Sequence, residues 1–234
     1  MTDRPYVICH ILSSIDGRID GDFFDAPQIG PAGAATAKIR QEYNCDAVLN
    51  GTTTCAEIYT NGYIRSLPEA RTPVRREDYV AVTDLRKYVV CADSKGKLNW
   101  QRNTVDRRGE KSHVIELLTE QVGDAYLAHL QRIGVSYVFA GKETLDIPLA
   151  LRKLKALFGI KTLLLTGGGR INWSFLRAGV LDELSLVIAP LADGAVNVAT
   201  IFDRSGEEDG EAFALRLKNV QKLDGDVVWL RYER

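Results

Sequence analysis

The most conspicuous stretch with chemical potential is Leu163-Leu164-Leu165-Thr166-Gly167-Gly168-Gly169, an apolar run ending in three glycines ahead of a helix-period segment through Trp173 and Leu176. Glycines at a strand end let the backbone approach a phosphate, and the helix that follows offers free N–H groups to an anion. The spacing is neither a GxGxxG fingerprint nor a Walker loop, and a tight strand-to-helix turn explains three glycines equally well. Asn50-Gly51-Thr52-Thr53-Thr54 ends a second apolar run, where its hydroxyls either cap a helix or hold a cofactor. Ala92-Asp93-Ser94-Lys95 ends a third, where a hydroxyl and a cation suit a phosphate monoester and an ordinary Asx or Ser turn is the alternative. Ser13-Ser14-Ile15-Asp16-Gly17-Arg18-Ile19 follows the first apolar run; its carboxylate either orients a polar ring and relays a proton, or simply marks a chain reversal. His10 lies in a strand pattern and His129 in a helix pattern, which makes both structural, and His113 borders a charge-rich run and is expected at the surface. The chain contains no GxSxG, so a hydrolase elbow is not supported.

Short β-branched runs alternate with helix-period segments, the pattern of an α/β fold with a largely parallel sheet. The strands are expected at Tyr6 to Ser13, Ala47 to Asn50, Lys87 to Ala92, Val114 to Leu118, Tyr137 to Ala140, Thr162 to Thr166 and Glu183 to Ala189. Helices are expected at Gly33 to Tyr43, Asp124 to Ile133 and Ile147 to Phe158. Phe213 to Leu223 and Val227 to Tyr232 alternate around Asp224-Gly225, which predicts a closing antiparallel hairpin. Asn61 to Asp84, Arg102 to Lys111 and Arg204 to Glu211 read as polar or charged loops. In an open α/β sheet ligands bind beyond the carboxyl ends of strands, so signals at three strand ends reinforce one another.

The 234 residues suffice for one sizeable core, and a single domain over 1–234 is expected. A net charge of −1 lacks the basic excess that a nucleic-acid partner requires. No stretch approaches the length of a membrane span, and the N-terminus lacks a signal-peptide pattern, so a cytoplasmic protein is expected. Cys9, Cys45, Cys55 and Cys91 are singly spaced, which argues against a metal site and for reduced, mostly buried thiols.

Gly167-Gly168-Gly169-Arg170-Ile171-Asn172-Trp173, then Gly179-Val180-Leu181-Asp182-Glu183 and Ile188-Ala189-Pro190, resemble the reductase domain of the riboflavin-biosynthesis deaminase-reductase and its standalone counterparts. Lys38-Ile39-Arg40, Asp46-Ala47, Gly51 to Thr54, Asp93-Ser94 and Ser14-Ile15-Asp16-Gly17 fall in the same order, so the resemblance runs over nearly the whole chain. It implies a three-layer, dihydrofolate-reductase-like α/β domain with a mixed, mostly parallel sheet, assembled as a homodimer. It implies NADPH as cofactor, with Gly167, Gly168, Gly169, Arg170, Gly51 and Thr54 at the pyrophosphate side, Ser94 at the 2′-phosphate and Ser13 bordering the nicotinamide. Arg40 would meet the substrate phosphate, Ser14, His10 and Thr166 would line the substrate, and Asp16 would be the catalytic group. Thr166 stands where the family commonly has a Glu and His10 where many members have a Lys; the Asp-Asp-Pro and Trp-Ile-Ser/Thr stretches are not found.

The implied reaction is hydride transfer from NADPH to C1′ of an opened ribosylamine on a phosphoribosylamino-pyrimidine, which rests mainly on holding donor and acceptor in contact. One alternative keeps the cofactor and takes a pteridine-like or other small carbonyl or imine substrate, motivated by Thr166 and His10. A different class is a non-catalytic nucleotide-binding sensor, because a fold never proves activity.

Overall fold

The computed structural model describes residues 2–107, 109–204 and 212–234, with Arg107 described by its backbone alone. In chain order the elements are β1 (Tyr6–Ser13), α1 (Gly30–Tyr43), β2 (Ala47–Gly51), α2 (Thr52–Cys55), β3 (Tyr88–Ala92), β4 (Thr104–Arg107), β5 (Glu110–Leu118), α3 (Asp124–Ile133), β6 (Ser136–Phe139), α4 (Ile147–Phe158), β7 (Thr162–Leu165), α5 (Gly169–Arg177), β8 (Glu183–Ile188), β9 (Arg216–Lys222) and β10 (Val228–Glu233). This is the α/β class with a mixed sheet and a C-terminal antiparallel hairpin that the sequence predicts. The chain divides into two compact units, Met1–Pro5 with Asp46–Leu163 and Tyr6–Cys45 with Leu164–Arg234.

In the first unit β2, β3, β5 and β6 pair in parallel, and β4 runs antiparallel to the start of β5. The registers Asn50↔Cys91, Cys91↔Glu116 and Glu116↔Tyr137 make one row across four strands. Paired residues share a face of the sheet. α3 and α4 carry apolar positions three and four apart, burying Leu127 and Leu130 in one and Leu151 and Leu154 in the other. Asp146 caps α4 by accepting from the Leu149 N–H at 2.9 Å, and both helices stop at a left-handed glycine, Gly134 and Gly159.

The second unit pairs β1 with β8 in parallel, then β8 with β10 and β10 with β9 antiparallel. The hairpin turn lies at Asp224–Asp226, with Gly225 at φ 71 as the Asp-Gly pair predicts. α1 begins three residues before its expected start, because Pro31 is tolerated in a first turn, and ends at left-handed Asn44.

Two expectations fail. The charge-rich run Arg102 to Lys111 is the β4–β5 hairpin, not a loop: Val105 and Ser112 pair and point inward while Asp106 and Lys111 pair beside them, and Gly109 at φ 80 makes the turn. Charge density hid a period of two. His113, expected at the surface, is fully buried on β5, its Nε2 2.7 Å from Ser136 Oγ, and burial lowers its pKa. Residues 61–84 are irregular as expected, apart from bridges at Tyr63 and Tyr79. The Arg204 to Glu211 loop lies, beyond Arg204, outside the described residues. All four cysteines are buried, and among the described residues none forms a disulfide.

Candidate active site

In the second unit β1 ends at Ser13, and the chain turns through Ser14, Asp16 and Gly17, the last at φ 80. Ser14 Oγ donates to Asp16 Oδ1 at 2.6 Å and accepts the Arg18 N–H at 3.0 Å. The Asp16 carboxylate also accepts the N–H groups of Asp193 at 3.1 Å and Gly194 at 2.8 Å. The hydrogen bond from Ser14, then those from the two amides, hold its pKa far below the usual carboxylate range. Asp16 spends its lone pairs on its own chain, which makes it a holder of this turn and a poor proton carrier. Ser13 Oγ is buried with no hydrogen-bond partner among the described residues, a donor that an incoming acceptor would satisfy.

His10, expected on the substrate, is committed elsewhere. Its Nδ1 lies 3.0 Å from Ser185 Oγ and its Nε2 3.0 Å from the Thr36 carbonyl. Burial lowers its pKa to about 4, and the nearby Arg40 charge adds to this. The ring is therefore neutral, donating through Nε2 to Thr36 while Ser185, which also accepts from the Trp229 indole at 2.8 Å, serves Nδ1. His10 joins β1 to α1 and β8, and no ring nitrogen is left for a ligand. Arg40 sits half-buried in the last turn of α1, near this histidine.

The triple glycine divides by function. A Cβ on Gly167 would meet Ile171, and one on Gly169 would meet the Asp203 carboxylate and the Thr200 carbonyl, so both are glycine for internal packing. Of the three, Gly168 alone has nothing among the described residues within 4 Å of a Cβ, and its φ of −72 needs no glycine. It is the N-cap of α5, whose first turn has no side-chain cap. The uncapped start of α5 thus lies at Gly168, with exposed Arg170 beside it and Thr166 half-buried just before, the arrangement that could receive an anion.

In the first unit Gly51 is the N-cap of the short α2, and Thr52 Oγ1 donates to the Ala92 carbonyl at 2.7 Å, joining the two strand-end loops. Thr54 is half-buried in α2. Asp93 Oδ2 accepts from the Lys97 and Leu98 N–H groups, four and five residues on, so Asp93 holds its own loop together, over a longer span than an Asx turn. Ser94 is half-buried on that turn, its carbonyl accepting from Thr119 Oγ1 at 2.7 Å. Among the described residues no cluster of His, Cys, Asp and Glu could hold a metal ion, and no helix is long and apolar enough to cross a membrane.

Sequence reasoning missed three residues. Asn172, fully buried, donates from Nδ2 to the Ile201 carbonyl at 2.9 Å, with its Oδ1 unpartnered beside Gly167. Asp203 accepts from Thr200 Oγ1 at 2.6 Å, and its N–H donates to the Gly169 carbonyl at 3.0 Å. An asparagine on the inward face of α5 was a readable signal; nothing local marked Thr200 or Asp203.

Strand ends bearing glycines and hydroxyls, in an α/β fold closed by an antiparallel hairpin, agree with the dihydrofolate-reductase-like fold that the resemblance implies. The family model described as the RibD C-terminal domain matches residues 5–229, and the chain belongs to that family. The chain is 26% identical over 227 residues to the 2,5-diamino-6-ribosylamino-4(3H)-pyrimidinone 5′-phosphate reductase of Methanothermobacter thermautotrophicus, covering 96% of each chain. It is 25% identical to the riboflavin biosynthesis protein RibD of Actinobacillus pleuropneumoniae, of whose length it spans 56%. Among solved structures, a pyrimidine reductase-like protein of Corynebacterium diphtheriae superposes with a TM-score of 0.68 at 18% identity, covering 98% of this chain and 91% of that one. RibD of Acinetobacter baumannii superposes with a TM-score of 0.62 at 18% identity, covering 99% of this chain and 58% of that one.

Proposed function

We propose that this chain is an NADPH-dependent reductase acting on a phosphoribosylamino-pyrimidine, working as a single reductase domain and as a cytoplasmic homodimer. Riboflavin-type reductase chemistry is what its named relatives share, and a single family model spanning both units supports the one-domain reading. The first substrate to test is the diamino-pyrimidinone ribosylamine 5′-phosphate for which the Methanothermobacter relative is named, with the uracil counterpart second.

The observation that carries the reading is Gly168: the open residue of a glycine loop at the uncapped start of a helix, in a chain of this family. Gly168 and the first amides of α5 would bind the pyrophosphate; in the first unit, Gly51 and Thr54 keep the pyrophosphate role and Ser94 the 2′-phosphate role that the resemblance implies for them. When bound, NADPH supplies the hydride for C1′ of the opened ribosylamine. Ser13 Oγ donates to the nicotinamide side, Arg40 anchors the substrate phosphate, and Thr166 and Ser14 border the ring. Asp16 keeps the Ser14 turn in place.

Calorimetric titration with NADPH and NADH tests the premise. NADPH is expected to bind and to be preferred; binding of neither nucleotide would falsify the reading. Gly168→Val sharpens the test, because its backbone is extended and open and the fold should persist. We expect unchanged melting but NADPH affinity reduced by about tenfold or more, roughly 1.4 kcal/mol.

A further inference from the structure

The open face of Gly168 does not explain why residues 189–203, irregular apart from a bridge at Thr200, are held so closely. Their first part is tied to the Ser14–Asp16 turn. Ile15 N–H donates to the Leu191 carbonyl at 2.7 Å, and Asp16 takes the amides of Asp193 and Gly194. Asp193 in turn accepts the Phe23 N–H at 3.0 Å. The middle stays with the same turn as it leaves: Ile19 N–H donates to the Ala199 carbonyl at 3.0 Å, and Arg18 Nη1 to Val198 at 3.3 Å. The last part is tied to the glycine loop through Asn172 to Ile201 and through the Asp203 N–H to Gly169.

We propose that residues 189–203 are a strap that fixes the glycine loop and the Ser14–Asp16 turn relative to one another, with Asp203 and Asn172 as positioning residues at its glycine-loop end. Asp203 folds that end into a knot, taking both the N–H and the hydroxyl of Thr200. Gly169 is glycine because the knot presses against it. Thr200 also bridges Arg18, so the knot and the turn share one neighbour. Loosening the knot then disturbs a turn that Asp203 itself does not touch. The strap gives the nucleotide loop a mechanical say in how Ser14 and Asp16 are placed.

The inference rests in part on the reductase reading, so its test has two arms. The first needs no cofactor: amide hydrogen exchange of the unliganded protein, with Asp203→Ala and the milder Thr200→Val. Exchange at Asp193, Gly194 and Ile19 should quicken by about fivefold or more in Asp203→Ala and less in Thr200→Val, while β10 stays protected, since openings follow cooperative units. Unchanged exchange at those three amides in both variants would overturn the strap, whatever the protein binds. The second arm is kinetic. Asp203→Ala should raise the substrate KM as well as weaken NADPH, by roughly three- to tenfold each, and Asp203→Asn, which keeps an acceptor for Thr200, should restore both. A change confined to nucleotide affinity would mean that the knot serves its own loop only, and the proposal would fall. A protein that binds no NADPH yet shows the exchange effect would retain the strap and lose the reductase.

Discussion

Glu116 in the first unit and Glu183 in the second are both inaccessible to solvent, at 0% and 2% exposure, yet they hold their protons in opposite ways. Glu116, in the row across β2, β3, β5 and β6, accepts from the Trp100 indole and lies 3.1 Å from the Tyr126 hydroxyl. Burial, and after it the charge of Asp93, pushes its pKa well above the ordinary carboxyl value, which favours the neutral acid. Glu183, at the start of β8, is pushed upward by burial too. Hydrogen bonds from Arg231, Lys218 and Tyr43 reverse this and hold it at about 2. Burial alone does not decide ionisation. Two neutral donors leave the proton on; a guanidinium and an ammonium take it off.

The contrast breaks most visibly in Glu183→Ala, which strands the Arg231 guanidinium and the Tyr43 hydroxyl without their acceptor. Loss of one partner from a buried ion pair costs about 3–5 kcal/mol, read as a lower urea midpoint. Since Arg231 is partly exposed, the lower end is expected. Next come the isosteric changes. Glu183→Gln should cost about 2 kcal/mol by weakening charge-assisted bonds, whereas Glu116→Gln, replacing a neutral acid with a neutral amide, should cost less than about 1 kcal/mol. Equal losses in the two variants would show that Glu116 is ionised after all.

The pH dependence of the urea midpoint sharpens the same comparison. Glu183, depressed in the fold, stabilises above pH 4.5, and that stability is lost as pH falls toward 2. His10, depressed to about 4, works in the same direction: stability should decline as pH falls from 6.5 through 4, by up to about 3 kcal/mol. Glu116, raised in the fold, acts oppositely; its contribution is complete below pH 4.5 and is lost as pH rises through its folded value. Glu116→Gln should therefore flatten the alkaline limb and leave the acid limb unchanged. The smallest effect is expected from Ser185→Ala, about 1 kcal/mol, because it leaves His10 Nδ1 and the Trp229 indole without their shared hydroxyl.

Much of the fold was legible because local patterns agreed with it. β1, α3 and α4 fall where their periods place them, and Asp224-Gly225 turns the hairpin it announced. What escaped was long-range. His113 looked exposed because its sequence neighbours are charged, but its surroundings are set by the pairing of β5 with β3 and β6. The three glycines read as one signal, whereas two of them answer to Ile171 and to the knot at Asp203, the latter 34 residues away. Asp16 was singled out for its chemistry, but its partners Asp193 and Gly194 lie 177 and 178 residues on, beyond any local motif.

The irregular stretch after α2 acquires a further meaning at its far end. Tyr79 exchanges both backbone hydrogen bonds with Tyr137 at 2.9 Å, Ala81 N–H donates to Ser136 Oγ, and Asp78, held by Lys153, takes the Phe139 N–H. The outer side of β6 is thereby closed along its length by a piece of chain too short and too bent to count as a strand. An open strand of Ser-Tyr-Val-Phe would invite any passing β segment to add itself, and aggregation of newly made chains would follow. The loop that looks least organised thus serves as the hem that keeps the sheet from growing.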